Sequence, residues 1–389
     1  MWFLINSPGH LISEIMTEKS EFIVIGAGIY GAATAWHLAC KGASVKVLEA
    51  DDIGTRASGG PGRRGVRANG RDVRELALMK RAYAIWPTLH EILGVPPFYE
   101  QCGHLLFAES DTQVCELEAR AWLQRGQGIE TELLNRDELR TREPGLSHKI
   151  EAALYCPQDG VANHSVTTRA YAAAAIRAGV RFSTSTSAKY IEFNNSRADA
   201  VITADGQRYE AKRGILIVAN AGVQSLLGAI QYLPTWNECL QVLISAPLES
   251  VPFSHLTGHI GRAVSLKREG DDRVMISGGW HGSWDPETNQ GHTINAAVEG
   301  NVTEAIAIYP LLKDLRIEVS DANHLETFTP DKIPIIDQLR AHNNVWYATG
   351  WCGHGWAIAP VIAEDLAKWM MDGERPQHLE PFRISRFTK

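Results

Sequence analysis

A glycine-rich run near the start of the chain has the composition of a phosphate-binding turn. Gly26, Gly28 and Gly31 stand in the sequence GAGIYG, and Glu49 follows 18 residues after Gly31. Glycines at this spacing let a backbone turn tightly and approach a pyrophosphate, which the N–H groups at a helix N-terminus then stabilise. An acid at the end of the next strand can accept hydrogen bonds from ribose hydroxyls. The pattern predicts a dinucleotide-binding turn, and a glycine-rich turn without a ligand is the alternative.

The segments around this run have the pattern that such a turn requires. EFIVIGAG (21–28) is a short apolar run and predicts a buried strand. Residues 29–41 carry apolar side chains at helical spacing, and Gly42 is expected to end that helix. SVKVLEA (44–50) predicts the second strand of a βαβ unit. The glycine turn therefore lies where a strand leads into a helix.

The rest of the chain indicates an α/β protein with two sheets. Residues 51–70 predict a loop, a hairpin turns at Asp205–Gly206, and residues 240–280 alternate like strands of a second sheet. Buried strands are predicted at 214–220 and 344–350, and helices at 72–93, 111–126, 166–178, 295–308 and 355–371. This order predicts a discontinuous Rossmann-like nucleotide domain into which a substrate domain with a mixed or antiparallel sheet is inserted.

The domain bounds follow from this order of elements. The nucleotide domain is expected at 19–95, 150–230 and 322–375, and the substrate domain at 96–149 and 231–321. Residues 1–18 are expected to be an N-terminal extension, since they lack the features of a signal peptide.

Composition excludes several classes of partner. A net charge of −7 argues against nucleic acid as the main partner, because a phosphate-binding surface needs a basic face. No run approaches 18 apolar residues, so a transmembrane segment is not expected. The six cysteines form no CxxC and no metal-ligand spacing, which predicts no metal site and reduced thiols in a cytoplasm.

Three further segments favour FAD over NAD. The basic, glycine-rich loop 56–67 could follow a diphosphate and reach a flavin ring. ILIVANAG (215–222) is a strand and turn of small residues that permits close approach, and TPDKIPIID (329–337) precedes YATGWCGHGWAIAP (347–360).

With these motifs, residues 21–372 resemble the D-amino-acid oxidase superfamily, which includes flavoenzymes that oxidise glycine, sarcosine and dimethylglycine. The resemblance rests on GAGIYG with LEA, SGGPGRRGVR, CPQDGVAN, IVANAG, FTPDKIPIID and ATGWCGHGWAIAP. It specifies the family and the cofactor, FAD, but not the substrate.

The resemblance also implies which residues contact FAD. The glycine turn and its acid would hold the ADP half, the loop after the acid would lie along the diphosphate and flavin, and the GHGW segment would place a helix start against the flavin N1–C2=O edge. The residues implied are Gly26, Ala27, Gly28, Ile29, Tyr30, Gly31, Glu49, Ala50, Ser58, Arg63, Arg64, Gly65, Ala188, Ala219, Asn220, Ala221, Gly350, Gly353, His354, Gly355 and Trp356. Relatives that tether flavin do so through a Cys, where this chain has Asn323, or a His, which residues 50–70 lack. Non-covalent FAD is therefore expected.

Three residues are candidates for catalysis, and a fourth is a candidate for substrate contact. Arg67 could grip a substrate carboxylate, or it could pair with Asp72 or Glu75 on the next helix. His281 could orient a substrate, or it could be a local hydrogen-bonding group. His354 lies in the segment that contacts flavin in the family. Glu326, at the position of a family arginine, could attract a cationic amine or be a surface acid.

The expected reaction is oxidation of the C–N bond of an amino acid or N-substituted amino acid, such as sarcosine, dimethylglycine, proline or an opine. Hydride would pass to flavin N5, and water would hydrolyse the imine. O2 or a protein or quinone would be the final acceptor. A lysine that activates O2 in sarcosine oxidases is missing from the strand before His281, which favours a dehydrogenase. The alternatives are a D-amino acid dehydrogenase, the flavin subunit of a heteromeric enzyme with a partner subunit, and a non-catalytic FAD-binding regulatory subunit.

Overall fold

The computed structural model describes residues 18–388, so nearly all of the extension predicted at 1–18 lies outside the described residues. In chain order the strands are β1 Glu18–Ile25, β2 Val45–Leu48, β3 Arg63–Val66, β4 Tyr99–Glu100, β5 His104–Ala108, β6 Glu132–Asn135, β7 Ala152–Cys156, β8 Gly160–Asn163, β9 Arg181–Ser183, β10 Ala188–Asn194, β11 Arg197–Thr203, β12 Arg208–Ile217, β13 Trp236–Cys239, β14 Val242–Ser245, β15 Leu256–His259, β16 Ser265–Glu269, β17 Arg273–Ser277, β18 Ser283–Asp285, β19 Gln290–His292, β20 Ile317–Asp321, β21 Leu325–Phe328, β22 Ile335–Gln338 and β23 Val345–Thr349.

The α-helices are α1 Ile29–Cys40, α2 Val73–Ile85, α3 Leu89–Leu93, α4 Asp111–Gly126, α5 Arg136–Arg142, α6 His164–Arg177, α7 Val223–Leu227, α8 Asn295–Ile308 and α9 Ala359–Asp372. Short 3₁₀ helices occur at Trp86–Thr88, Asn220–Gly222, Pro310–Leu312, Gly355–Ile358, Gln377–Phe382 and Ile384–Phe387.

The first sheet contains the βαβ unit. β1 pairs in parallel with β2 and β12, and β12 pairs in parallel with β23. Phe22 and Val24 enter the core that lies under α1, α6 and α9, whereas Ile23 and Ile25 enter the core on the opposite face. Both faces of β1 are covered, which explains why its sequence is continuously apolar rather than alternating.

The second sheet has the strand order β20-β14-β17-β16-β15-β5-β7-β6, and β15 and β5 run parallel within it. The strands predicted at 240–280 are confirmed as β14 to β17. β5, β6 and β7 join them from an earlier part of the chain, and α8 packs on the sheet through Ala305 and Ile308. β7 begins at Ala152, just beyond the domain boundary predicted at 150, and the domain bounds stay a prediction.

A third, small sheet joins the predicted loop to the motif CPQDGVAN. β3 pairs antiparallel with β8, which also pairs with β4. The prediction of an uninterrupted loop at 51–70 was therefore wrong for Arg63–Val66. The sequence RRGV has no strand pattern of its own, and its partner β8 lies about a hundred residues further along the chain.

The predicted helix 72–93 is interrupted at Trp86–Thr88, where the chain forms a 3₁₀ helix. Pro87 lacks an N–H group, and its ring cannot follow an α-helical turn without a clash. Helices 111–126 and 295–308 are confirmed at their predicted bounds. The helix predicted from 355 begins with a 3₁₀ turn and continues as α9, which has Pro360 in its first turn.

The glycine turn depends on a backbone approach that no other residue allows. A Cβ added to Gly31 would lie 1.8 Å from the Gly26 carbonyl oxygen. We expect Gly31→Ala to lower the free energy of unfolding by about 3 kcal/mol or more, since backbone cannot yield as a flexible side chain does. Gly126→Ala is the control, because its added Cβ would have no neighbour within 4 Å. Urea unfolding of both variants tests this, and equal midpoints would contradict it.

Candidate active site

A cavity of about 1340 Å³ is lined by residues of both large sheets. Most ligand pockets measure roughly 300–1,000 Å³, so this cavity has room for a large ligand and a small one together. Its wall includes these predicted site residues: Gly26, Gly28, Ile29, Tyr30, Glu49, Ala50, Ser58, Arg64, Gly65, Arg67, Ala188, Ala219, Asn220, Ala221, His281, Gly353, His354, Gly355 and Trp356. Four other predicted residues do not line it: Ala27, Gly31, Arg63 and Gly350.

One end of the cavity is formed by the glycine turn and the start of α1. Gly26 has a φ of +104°, and a Cβ there would lie 2.8 Å from the Val218 carbonyl oxygen. Gly28 is the N-cap of α1, and no side chain caps that helix. A Cβ on Gly28 would meet nothing within 4 Å, so the open side of the turn faces the cavity. The N–H groups of the first helical turn are thereby left for an anion.

Glu49 follows β2 and lies beside this turn. Its Oε2 accepts a hydrogen bond from the Ala27 N–H at 2.6 Å, and its Oε1 accepts one from the Asp51 N–H at 2.9 Å. Burial raises the pKa of Glu49, although the Ala27 N–H acts against that shift. The carboxylate is held at the position that the sequence predicted for a ribose-binding acid.

Two neighbouring arginines of β3 have different surroundings. Arg64 lines the cavity and folds back on its own loop, where its Nη1 donates to the Pro61 carbonyl oxygen at 3.1 Å. Arg63 donates to Glu100 Oε2 at 2.6 Å on the small sheet, away from the cavity wall. The structure therefore places Arg63 outside the cavity wall, whereas its neighbour Arg64 lines it.

The segment 351–356 lines the cavity beside the glycine turn, and Tyr30 of α1 contacts it directly. Tyr30 donates to the Gly355 carbonyl oxygen at 2.5 Å, and its ring stacks on Trp351 with centroids 3.7 Å apart. Trp356 lines the cavity, and its buried indole nitrogen has no hydrogen-bond partner among the described residues.

Glu326 is buried and connects three segments of the wall, so the alternative that it is a surface acid was wrong. Its side chain is 2% exposed, and its Oε1 accepts a hydrogen bond from the Gly353 N–H at 3.0 Å. Its Oε2 accepts one from Asn220 Nδ2 at 3.3 Å, and the nearby Ser58 side chain acts to lower the pKa of the carboxyl group. No sequence pattern indicated this role, because the three partners come from distant parts of the chain.

Arg67 lines the cavity without an acidic partner. Its Nη1 donates to the Asn69 carbonyl oxygen at 2.5 Å, and over residues 18–388 no carboxylate oxygen lies within 4.0 Å of its guanidinium. Asp72 pairs with Arg74 instead, and Glu75 pairs with Arg71. The alternative that Arg67 pairs with the next helix was therefore wrong. Burial and the nearby Arg71 charge lower the pKa of Arg67 to about 10.

Asp159 fixes the loop that carries Arg67. This fully buried carboxylate accepts hydrogen bonds from the N–H groups of Ala68 at 2.6 Å and Asn69 at 3.2 Å, and from the Tyr83 hydroxyl. A buried charge with three donors is well satisfied. The motif CPQDGVAN thus acts through Asp159 to set the position of Arg67.

A buried ion pair links the Arg67 loop to the segment 351–356. Arg71 donates to the Arg67 carbonyl oxygen at 2.5 Å and to the His354 carbonyl oxygen at 2.6 Å. Glu75 lies 3.3 Å from both Arg71 Nη1 and His354 Nε2. Burial acts to raise the pKa of Glu75, but Arg71 and His354 hold this pKa below its usual value.

The two candidate histidines both have protein partners. His354 has Glu75 at Nε2 and the Cys352 carbonyl oxygen 3.0 Å from Nδ1, so both ring nitrogens are engaged. His281 pairs through Nδ1 with Glu238, and its ring stacks on Phe328. His281 thus has the local partner that was the alternative to substrate contact, although its ring also lines the cavity.

A buried lysine also lines the cavity, and the sequence did not single it out. Lys267 lies on β16, is 4% exposed, and donates to Ser277 Oγ at 2.9 Å. Burial, together with Arg64 and Arg67, lowers the pKa of Lys267 to about 7. The strand before His281 is β17, which ends at Ser277 and contains no lysine. The neighbouring strand β16 brings the Lys267 amine to Ser277. The preference for a dehydrogenase stays a prediction. Leu266 faces the core, so strand alternation was the available signal for Lys267.

Neither a metal centre nor a membrane-spanning helix occurs in residues 18–388. No group of three or more His, Cys, Asp or Glu side chains there could hold a metal ion. None of the described helices has the length and apolar character needed to cross a membrane.

The buried Glu326 predicts a pH dependence of stability. Burial raises the pKa of Glu326, and the Ser58 side chain together with the hydrogen bonds from Gly353 and Asn220 opposes that shift. A carboxyl group whose pKa is raised by folding stabilises the fold below its unfolded pKa, and this contribution is lost as pH rises through the folded pKa. We therefore expect Glu326→Gln to gain stability relative to the wild type as pH rises from about 4 to 7. Urea unfolding at several pH values measures this, with exposed Glu249→Gln as the control; a difference that is constant with pH would contradict it.

Known proteins share this fold. The model of the family described as DAO, FAD dependent oxidoreductase, matches residues 21–369. The chain is 24% identical over 384 residues to one of the subunits of the opine oxidase of Rhizobium meliloti, covering 94% of this chain and 97% of that protein. It is 28% identical over 388 residues to the peroxisomal sarcosine oxidase of Homo sapiens, covering 94% and 96%. The crystal structure of L-proline dehydrogenase from P. horikoshii superposes with a TM-score of 0.86 at 25% identity, covering 96% of this chain and 98% of that one.

These findings confirm three sequence predictions: the resemblance, the α/β fold with a second mixed sheet, and FAD as the cofactor. The chain belongs to the family of FAD-dependent oxidoreductases and is an enzyme of that class.

Proposed function

We propose that this enzyme oxidises the C–N bond of an amino acid or an N-substituted amino acid. The observation that carries the proposal is Arg67, a cation without an acidic partner among residues 18–388 that faces a cavity large enough for a cofactor and a substrate. A planar guanidinium binds a carboxylate through two parallel hydrogen bonds, which fixes both its position and its orientation. The relatives named above are an opine oxidase subunit, a sarcosine oxidase and a proline dehydrogenase, and opines, sarcosine and proline all contain an amine beside a carboxylate.

The residues along the cavity fit FAD. The uncapped start of α1 and the open side of Gly28 would receive the diphosphate, and Glu49 would accept hydrogen bonds from the ribose. Asn220 Oδ1 and Trp356 Nε1 are buried at the wall without partners among the described residues, which is consistent with a ligand there. When bound, FAD would supply the chemistry of accepting a hydride from the substrate carbon.

We also propose that FAD is held without a covalent bond. Cys352 lines the cavity, but burial raises the pKa of its thiol and so disfavours the nucleophilic thiolate. Asn323, at the position of the tethering cysteine in some relatives, cannot form such a bond.

The protein's own contribution to the reaction is to position the substrate. Arg67 would hold the carboxylate, while Asp159 and Arg71 hold the loop that carries Arg67. Holding reacting atoms at near-contact distance removes much of the entropic barrier. The final acceptor would be O2 or a protein or quinone.

A second candidate is the flavin subunit of a heteromeric enzyme. The observation that favours it is the match to the opine oxidase subunit of Rhizobium meliloti, which extends over 97% of that protein. In that case the proposed chemistry would occur in the same cavity, and a partner subunit would supply a further step.

Anaerobic mixing with a panel of amines tests the proposed function. We expect sarcosine, N,N-dimethylglycine, L-proline, an opine or a D-amino acid to bleach the flavin absorbance near roughly 450 nm. The same amines without their carboxylate, such as dimethylamine and pyrrolidine, are the matched controls and should not bleach it. If no member of the panel bleaches the flavin, amine oxidation by this chain alone is excluded.

Substitution of Arg67 tests the carboxylate contact. We expect Arg67→Ala to raise the substrate dissociation constant by about 100-fold, since a charged hydrogen bond contributes about 1.5–3 kcal/mol. Arg67→Lys should give a smaller rise, because the charge stays but the two parallel bonds are lost. The FAD content of both variants should equal that of the wild type, and the exposed Arg140→Ala is the control. An equal loss of FAD and substrate binding would count against the contact.

A further inference from the structure

The proposed oxidation requires a group in the cavity that accepts a proton from the substrate. An amino acid at neutral pH carries its amine as an ammonium group, whose nitrogen has no lone pair to assist loss of a hydride from the adjacent carbon. One proton must therefore leave the nitrogen first. The histidines at 281 and 354 have protein partners, and Glu326 accepts hydrogen bonds from Asn220 and Gly353.

We propose that Lys267 is the catalytic base that takes this proton from the substrate ammonium. This inference rests on the proposed function and names the residue that prepares its substrate. In the step, the N–H bond of the ammonium breaks and a new N–H bond forms on Lys267 Nζ. The substrate becomes a neutral amine, Lys267 becomes an ammonium ion, and no electrons are exchanged.

The position of Lys267 is suited to this transfer. It is the only lysine among the described residues that line the cavity, and it shares that wall with Arg67. In an α-amino acid one carbon separates the amine from the carboxylate, so a carboxylate on Arg67 places the amine close to that contact. The hydrogen bond from Nζ to Ser277 Oγ fixes the side chain. A neutral lysine amine then keeps its lone pair for the substrate.

The charges around Lys267 favour a neutral amine before the substrate binds. Arg64 and Arg67 face it from the β3 segment and His104 from β5, while Glu269 lies on its own strand. Burial and the two arginines lower the pKa of Lys267 to about 7, whereas Glu269 opposes them. A base with a pKa near the working pH is the most effective.

Substrate binding itself would strengthen this base. A carboxylate on Arg67 neutralises one of the two cations that disfavour a charged Lys267. The affinity of Lys267 for a proton therefore rises when the ammonium group arrives. After the transfer, the positive charge lies on Lys267 and the substrate nitrogen is neutral.

Variants at position 267 separate the base from the charge. The rate of anaerobic flavin bleaching, measured from pH 6 to 10 with the best amine of the panel, should rise in the wild type around pH 7. We expect Lys267→Met and Lys267→Arg to be about 100-fold slower at neutral pH, because general base catalysis contributes roughly 10²–10⁴-fold. Their rates should rise only where the substrate ammonium itself loses its proton. Lys212→Met, on the exposed surface of β12, is the control and should match the wild type.

Lys267→Arg carries the strongest test, since arginine has the charge of the protonated lysine but cannot accept a proton. A rate and pH profile equal to those of the wild type in either Lys267 variant would overturn the proposal. Unchanged flavin content and absorbance verify that the variants fold.

Binding of an unreactive analogue gives a readout that does not depend on turnover. The ether analogue of the best amine is used: methoxyacetate for sarcosine, or tetrahydrofuran-2-carboxylate for proline. It contains the carboxylate but no ammonium, so it binds best when Lys267 is protonated and donates to the ether oxygen. We expect its dissociation constant, measured by tryptophan fluorescence of the oxidised holoenzyme, to rise above pH 7 in the wild type and to stay constant in Lys267→Met. A constant value in the wild type would overturn the proposal.

Failure of the proposed function and failure of the base give different results. If no amine bleaches the wild type, the proposed function fails. If the wild type is bleached and Lys267→Met behaves identically, only the role of Lys267 fails.

Discussion

The wall of the cavity depends on one buried carboxylate. Glu326 accepts hydrogen bonds from the turn after β12 and from the segment after β23, and it lies near Ser58 of the loop after β2. Each of these segments follows a strand of the first sheet, so the sheet brings their ends to one edge. An isolated buried carboxyl group is costly, and its two donors reduce that cost. In return the carboxylate fixes the spacing between segments that would otherwise be joined only through the sheet.

The sequence predicted the features that depend on neighbouring residues. The glycine turn and Glu49 lie on one continuous βαβ unit, where spacing along the chain determines position in space. The bounds of α4 and α8 followed in the same way from apolar periodicity. The family motifs then added the segment 351–356 to the same wall, although it lies some 300 residues from the glycine turn.

The features that the sequence did not predict depend on contacts between distant segments. Arg63 and Arg64 are adjacent and chemically alike, yet β3 alternation places one against Glu100 and the other in the cavity. That alternation could not be foreseen, because β3 exists only through its pairing with β8. Lys267 was missed for a similar reason: the expected lysine position was on β17, and the amine arrives from the adjacent β16. Glu326 was recognised as a possible site residue, but its three partners are separated from it in sequence.

The Arg71 bridge has a consequence for how the two ligands influence each other. Arg71 hydrogen-bonds the carbonyl groups of Arg67 and of His354. Glu75 lies within ion-pair distance of both Arg71 and His354. A ligand that orders one of these backbones also orders the other through a rigid, buried pair. The affinities for cofactor and substrate are then thermodynamically coupled, and the coupling is reciprocal: each ligand changes the affinity of the other by the same factor. An occupied flavin site would thus preorganise the guanidinium for the carboxylate, and the empty enzyme would be a poor receptor for its own substrate.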